Sequence, residues 1–110
     1  MPLAATLDVT TNRAVSFSFR VVNDGTSAID LTFRSGKRAD VVVRDATTQE
    51  EVWRWSDGRL FTQALQRATL RPGEQIEQSF EWDDPESGSY VVVGTLEADQ
   101  EARAETELSI

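Results

Sequence analysis

From Val15 to Val21 the chain alternates without a break: Val15, Phe17, Phe19 and Val21 are apolar, and Ser16, Ser18 and Arg20 are polar. Successive side chains of a strand point to opposite faces, so this period of 2 builds one apolar face and one wet face. A helix would scatter the same residues around its surface. Such a strand cannot bury its apolar face alone, so the rest of the chain must supply the other strands of a packed sheet.

It supplies them repeatedly. Leu3, Ala5, Leu7 and Val9 alternate with Thr6, Asp8 and Thr10, and Ile29, Leu31 and Phe33 with Asp30, Thr32 and Arg34. Val41-Val42-Val43 is a continuous β-branched run, expected in a central strand covered on both faces. Val52, Trp53 and Trp55 form the next strand, with both Trp residues on one face. Ile76, Phe80 and Trp82 oppose Glu77, Ser79 and Glu81, Tyr90 opens a Val-rich strand reaching Leu96, and Ala104, Thr106 and Leu108 close the chain. The punctuation fits: turns at Asn23-Asp24-Gly25, Ser35-Gly36-Lys37 and Arg71-Pro72-Gly73-Glu74, and a hairpin-like polar loop over residues 45–50. Residues 56–68 are irregular. Phe61 and Leu65, four apart, suggest a helical turn or two over residues 61–67 that plugs one open end of the fold. About eight short strands with a turn every 8–12 residues predict an all-β, immunoglobulin-like antiparallel β-sandwich. With 110 residues and no linker, it is read as a single domain over residues 1–110. Gly88-Ser89-Tyr90 before a Val-rich strand suggests a tyrosine corner, the Tyr hydroxyl bonding to a neighbouring backbone.

Composition removes much chemistry. The chain has no Cys and no His, so it can build neither a thiolate nucleophile, nor a Ser-His-Asp triad, nor a zinc site of thiolate or imidazole ligands. Phosphate-loop and dinucleotide fingerprints are absent too. The acidic loop of Asp83, Asp84 and Glu86 offers oxygen ligands but lacks the spacing of a calcium loop. An enzyme is therefore not expected, and neither a metal nor a cofactor. The net charge of −8 is uneven, because residues 74–110 hold 11 acids and a single base, Arg103. That acidic third should repel nucleic acid. The start carries no positively charged targeting segment, and no stretch approaches a membrane span, so a cytoplasmic monomer is expected. Ten of the 11 basic residues are Arg, an acidic and Lys-poor balance similar to that of proteins from salt-loving organisms.

The most distinctive stretch is Val52-Trp53-Arg54-Trp55-Ser56-Asp57-Gly58-Arg59-Leu60-Phe61-Thr62-Gln63-Ala64-Leu65. A Trp-bearing strand, a Gly turn and a Phe-Thr-Gln stretch in this order resemble the intracellular proteinase inhibitor (BsuPI) family. The flanks agree: Phe33-Arg34-Ser35-Gly36 with Ala39-Asp40-Val41 before it, and Leu70-Arg71-Pro72-Gly73-Glu74 with Trp82 after it. The resemblance covers about residues 15–96. It implies an immunoglobulin-like fold and inhibition of subtilisin-like intracellular serine proteases through a surface loop. It carries no reactive residue by motif.

Physical argument nominates a loop. A substrate-like inhibitor needs a rigid, protruding segment with one side chain suited to the primary specificity pocket, which in subtilisin-like proteases takes large apolar residues. Leu60 or Phe61 could fill that role, presented by Ser56, Asp57, Gly58 and Arg59, with Arg54 beside them. Packing competes for the same residues, since large aromatics such as Trp53, Trp55 and Phe61 are the ones a sandwich buries. Arg54 and Arg59 are read as solvated, with interface contact as the alternative. The competing function is a non-inhibitory protein–protein interaction module, binding through a sheet edge or residues 56–68. Exposure of Leu60 and Phe61 decides between protrusion and packing.

Overall fold

A computed structural model describes residues 3–11 and 14–110; Met1 and Pro2, the start of the N-terminal run, lie outside it. Among the described residues nine strands follow in order: β1 (Leu3–Thr11), β2 (Val15–Asn23), β3 (Ile29–Phe33), β4 (Ala39–Asp45), β5 (Glu51–Arg54), β6 (Gln66–Leu70), β7 (Gln75–Trp82), β8 (Ser89–Leu96) and β9 (Arg103–Ser109). All pairings are antiparallel. One sheet has the order β1-β2-β7, a second the order β5-β4-β8-β9, and β3 and β6 form a separate two-stranded ribbon. The predicted immunoglobulin-like sandwich is the fold observed.

The alternating runs place the core. Leu7, Phe17, Phe19, Val21 and Phe80 of the three-stranded sheet share one buried cluster with Val41, Val43, Val92, Leu96 and Leu108 of the four-stranded sheet. Leu31, Phe33 and Leu70 bring the ribbon into the same cluster. The sheets meet closely where Phe19 packs on Gly94: a Cβ on that glycine would stand 2.7 Å from Phe19 Cδ1. β4 is interior to its sheet, and Val41, Val42 and Val43 are all buried, as their unbroken β-branched run requires.

Side chains close the turns. Asn23, 1% exposed, donates its amide to the carbonyls of Ser27 (2.9 Å) and Leu70 (2.8 Å) and accepts from Gly25 N–H (2.9 Å). The polar loop is the hairpin between β4 and β5, with Asp45 N–H donating to Glu50 C=O at 2.8 Å. At its start the Asp45 carboxylate accepts from the N–H groups of Thr48 and Thr47, which hold its pKa below the ordinary value. Gly73 has φ +85°, the left-handed conformation expected after Pro72 in a type II turn. The tyrosine corner is present: the Tyr90 hydroxyl donates to the Glu86 carbonyl at 2.6 Å.

One stretch differs from expectation. Residues 61–67 are not helical: residues 59–65 carry no regular secondary structure, and Gln66 already belongs to β6. Two long-range contacts hold the segment. Gly36 N–H donates to Thr62 C=O at 2.9 Å, and β3 draws Gln66 into register opposite Phe33. Four-residue spacing cannot outweigh a strand edge whose backbone groups need partners. Leu65 consequently plugs nothing and is 56% exposed. The irregular segment ends at Leu65 rather than Ala68.

Candidate functional site

β5 is the four-residue edge strand of the larger sheet. Its alternation sends Trp53 inward, where the indole stacks between Phe17 (centroids 6.1 Å) and Trp82 (5.8 Å). Trp82 in turn meets Tyr90 edge-on at 5.2 Å. This aromatic file spans both sheets and closes one side of the sandwich. Trp55 continues the strand's pairing, donating its N–H to Val41 C=O at 3.0 Å. Its ring takes the edge of Phe80 at 4.9 Å and packs against Phe61 at 5.7 Å.

Beyond Trp55 the chain turns back on itself. Asp57 N–H donates to Arg54 C=O (3.1 Å) and Arg59 N–H to Ser56 C=O (3.2 Å). Gly58 adopts φ +77° with nothing within 4 Å of where a Cβ would lie, so backbone conformation rather than space calls for glycine there. Arg59 folds over the turn, donating Nε–H to Trp55 C=O at 2.8 Å, with its guanidinium 4.5 Å above the Trp55 ring. Such a cation–π contact contributes about 0.5–1 kcal/mol at an exposed site.

Underneath lies Asp40, 2% exposed. Its Oδ1 accepts from Val41 N–H (2.9 Å) and Ser56 N–H (3.1 Å), and its Oδ2 from the Ser56 hydroxyl (2.5 Å). Lys37 Nζ and Arg54 Nη1 both stand 3.6 Å from Oδ2. Arg54 also grips Glu51, Nη2 to Oε1 at 2.7 Å. That hydrogen bond raises the Arg54 pKa and lowers that of Glu51. At the far end, Thr62 fills the place of a Gly36 side chain: a Cβ on Gly36 would lie 2.8 Å from Thr62 Oγ1.

Residues 54–62 are thus pinned at both ends, and between the pins Leu60 is 100% exposed. Among the described residues, the N–H groups of Leu60 and Phe61 donate to no other backbone group. The exposed face of the loop borders a shallow groove of about 560 Å³, lined in part by Val52, Trp53, Asp57, Arg59, Glu81 and Asp83.

Arg54, Ser56, Asp57, Gly58, Arg59 and Leu60 come together as one loop, and Phe61 turns under it against Trp55. Protrusion and packing are divided between neighbours: Leu60 protrudes and Phe61 packs. Arg59 is exposed, as expected of a solvated arginine, while lying along Trp55. Arg54 departs from expectation: it is half-buried and bound to Glu51 and Asp40. Sequence reasoning missed Asp40 and the Gly36–Thr62 contact. The signal for Asp40 was there, a lone charge at the head of the apolar run Ala39–Val43, but its partner Ser56 lies 16 residues away.

The family model described as BsuPI, intracellular proteinase inhibitor, matches residues 3–101. No curated protein matches the sequence. In structure the chain is similar to part of a penta-heme cytochrome c552 from Thermochromatium tepidum, with TM-score 0.60 and 11% identity, covering 97% of this chain and 40% of that one. It is also similar to the sporulation control protein Spo0M from Bacillus subtilis, with TM-score 0.55 and 17% identity, covering 100% of this chain and 49% of that one. A β-glucosidase from Kluyveromyces marxianus gives TM-score 0.52 and 14% identity, with 98% and 14% coverage. This chain therefore spans less than half of each of these proteins, and at such identities the likeness shows the fold alone. No helix among the described residues is long and apolar enough to cross a membrane.

Proposed function

The chain belongs to the intracellular proteinase inhibitor (BsuPI) family, and from that premise we propose that it is a cytoplasmic inhibitor of subtilisin-like serine proteases. In this reading it binds through residues 56–61, with Leu60 entering the primary specificity pocket. One observation carries the reading: a fully exposed leucine stands on a loop braced on both sides. A lone exposed leucine is unremarkable on a mobile chain. Here the ordering cost of binding is already met by Asp40, the Arg59–Trp55 stack and the Gly36–Thr62 bond, which is what preorganisation requires. The unpaired N–H groups of Leu60 and Phe61 suit the strand-like pairing by which a protease cleft holds peptide.

Burying a leucine side chain contributes roughly 1.5–3 kcal/mol. Leu60→Ala should therefore weaken inhibition about 10- to 150-fold, and Leu60→Asp should abolish it, because an unpaired carboxylate resists desolvation. Both variants should keep the wild-type unfolding midpoint, since Leu60 touches no core. The assay is titration of purified protein into an intracellular subtilisin while peptide hydrolysis is followed. An unaltered enzyme at micromolar protein would refute the reading for that protease, and full inhibition by Leu60→Asp would refute the assignment of Leu60.

A second reading has its own observation. β5 is an edge strand whose Val52 is 48% exposed, which favours strand addition by a partner that is not a protease. Recovery of such a partner together with inert inhibition assays would select this reading.

A further inference from the structure

We propose that Asp40 is the positioning residue of the inhibitory loop, its buried carboxylate deciding whether residues 56–61 act as a rigid ligand or as a cleavable peptide. The inference rests on the inhibitor reading for its functional half. Its structural half stands independently.

A loop that enters a protease cleft escapes cleavage only while its scissile bond is held in one geometry. Hydrolysis of the Leu60–Phe61 bond consumes one water, frees a carboxyl on Leu60 and an amine on Phe61, and becomes irreversible once the new ends separate. What keeps them together is whatever fixes each flank. Phe61 and Thr62 are held from below by Trp55 and Gly36. On the Leu60 side, among the described residues, the hydrogen bonds that tie the turn to a strand pass through Ser56, and both polar hydrogens of Ser56 go to Asp40. Hydrogen bonds to a charged acceptor are stronger than neutral ones.

Asp40 is also separable from the fold. It lies on the outer face of the four-stranded sheet, opposite in alternation to the core residues Val41 and Val43. Its burial comes from Lys37, Arg54 and the Ser56 turn, not from the aromatic core. Neither basic partner depends on it alone: Arg54 keeps Glu51 at 2.7 Å and Lys37 keeps Glu97 at 3.3 Å. Asp40→Asn therefore strands no charge and opens no core cavity. It does replace Oδ2, which accepts the Ser56 hydroxyl between two cations, with an N–H₂ donor or a reoriented oxygen. Ser56→Ala removes the same hydroxyl bond from the other side.

The experiment has three readouts on wild type, Asp40→Asn, Ser56→Ala and the double variant. Amide hydrogen exchange should accelerate at least tenfold at residues 56–60 in Asp40→Asn, while β4 and β8 and the unfolding midpoint stay near wild type. Against a protease that wild type inhibits, Asp40→Asn should weaken inhibition roughly tenfold or more, and mass spectrometry should find cleavage at Leu60–Phe61 as the variant turns from inhibitor to substrate. The double variant should be little worse than Asp40→Asn, since the two changes remove shared bonds. Unchanged exchange at residues 56–60, or acceleration spread evenly over the sandwich, would overturn the proposal. Wild-type titration alone decides the inhibitor reading. A wild type that inhibits nothing, with local loosening in Asp40→Asn, would sink that reading and leave Asp40 as the residue that sets the loop.

Discussion

Replacing Gly94 with alanine sets two opposed effects against each other, and the structure decides between them. Gly94 lies in β8, flanked by Val41 of β4 and Ala104 of β9, and faces the opposite sheet. Its backbone is not in the left-handed region, so alanine can adopt it. Glycine within a strand costs roughly 0.5–1 kcal/mol of extra unfolded-state entropy relative to alanine. Backbone propensity alone therefore predicts a more stable protein. Against this, the new methyl would lie 2.7 Å from Phe19 Cδ1, 3.1 Å from Cε1 and 3.3 Å from Cγ. Real Cβ atoms do not approach carbon so closely, so something must move. Phe19 is 2% exposed, rigid and set in the middle of β2, so its ring can retreat only by displacing its neighbours or separating the sheets. Overpacking of this kind costs about 1–3 kcal/mol. At the middle of both ranges the steric effect wins by about 1 kcal/mol, which for a domain of this size lowers the thermal midpoint by roughly 4 °C. Circular dichroism melts and urea titrations would measure it. Phe19→Leu in the Gly94→Ala background should recover part of the loss, because the two sites share one volume. A Gly94→Ala protein at least as stable as wild type would refute the reasoning, and with it the claim that the sheets close on a missing side chain.

Two further outcomes can be checked by similar means. Asn23→Ala removes donors from the Ser27 and Leu70 carbonyls and an acceptor from Gly25 N–H; it should cost about 2–3 kcal/mol in urea titrations, and a loss under half a kcal/mol would show that water replaces the amide. Glu51 has its pKa lowered by the hydrogen bond from Arg54, so its contribution is fully present above the unfolded-chain value of about 4.3 and is lost as pH falls through the depressed folded value. Wild type should therefore exceed Glu51→Gln in stability at neutral pH and converge with it in acid, and a gap that survives undiminished once the carboxyl is protonated would contradict the assignment.

Residue order alone determined the strands wherever burial repeats at period 2. The runs at Val15–Asn23 and Ile29–Phe33, the Val41-Val42-Val43 run and the Trp53/Trp55 face are legible because a strand's two faces are set by neighbours one residue away. The turns were legible for the same local reason: Pro72-Gly73 and Asn23-Asp24-Gly25 encode their own conformations. The family was legible in residues 52–65, whose Trp, Gly and Phe-Thr-Gln elements are unusual together. Tertiary structure decided the rest. Residues 61–65 are not helical because Gly36 and β3 hold the chain from across the fold, contacts that no local spacing encodes. Leu60 and Phe61 are adjacent and similarly apolar, yet one is wholly exposed and the other packs on Trp55. That difference depends on where β5 delivers the chain relative to Phe80. Asp40 supports the candidate loop only because the return of β5 along β4 brings Ser56 over it. Periodicity specifies which way a side chain points, whereas the partner it meets is set by the pairing of strands far apart in the chain.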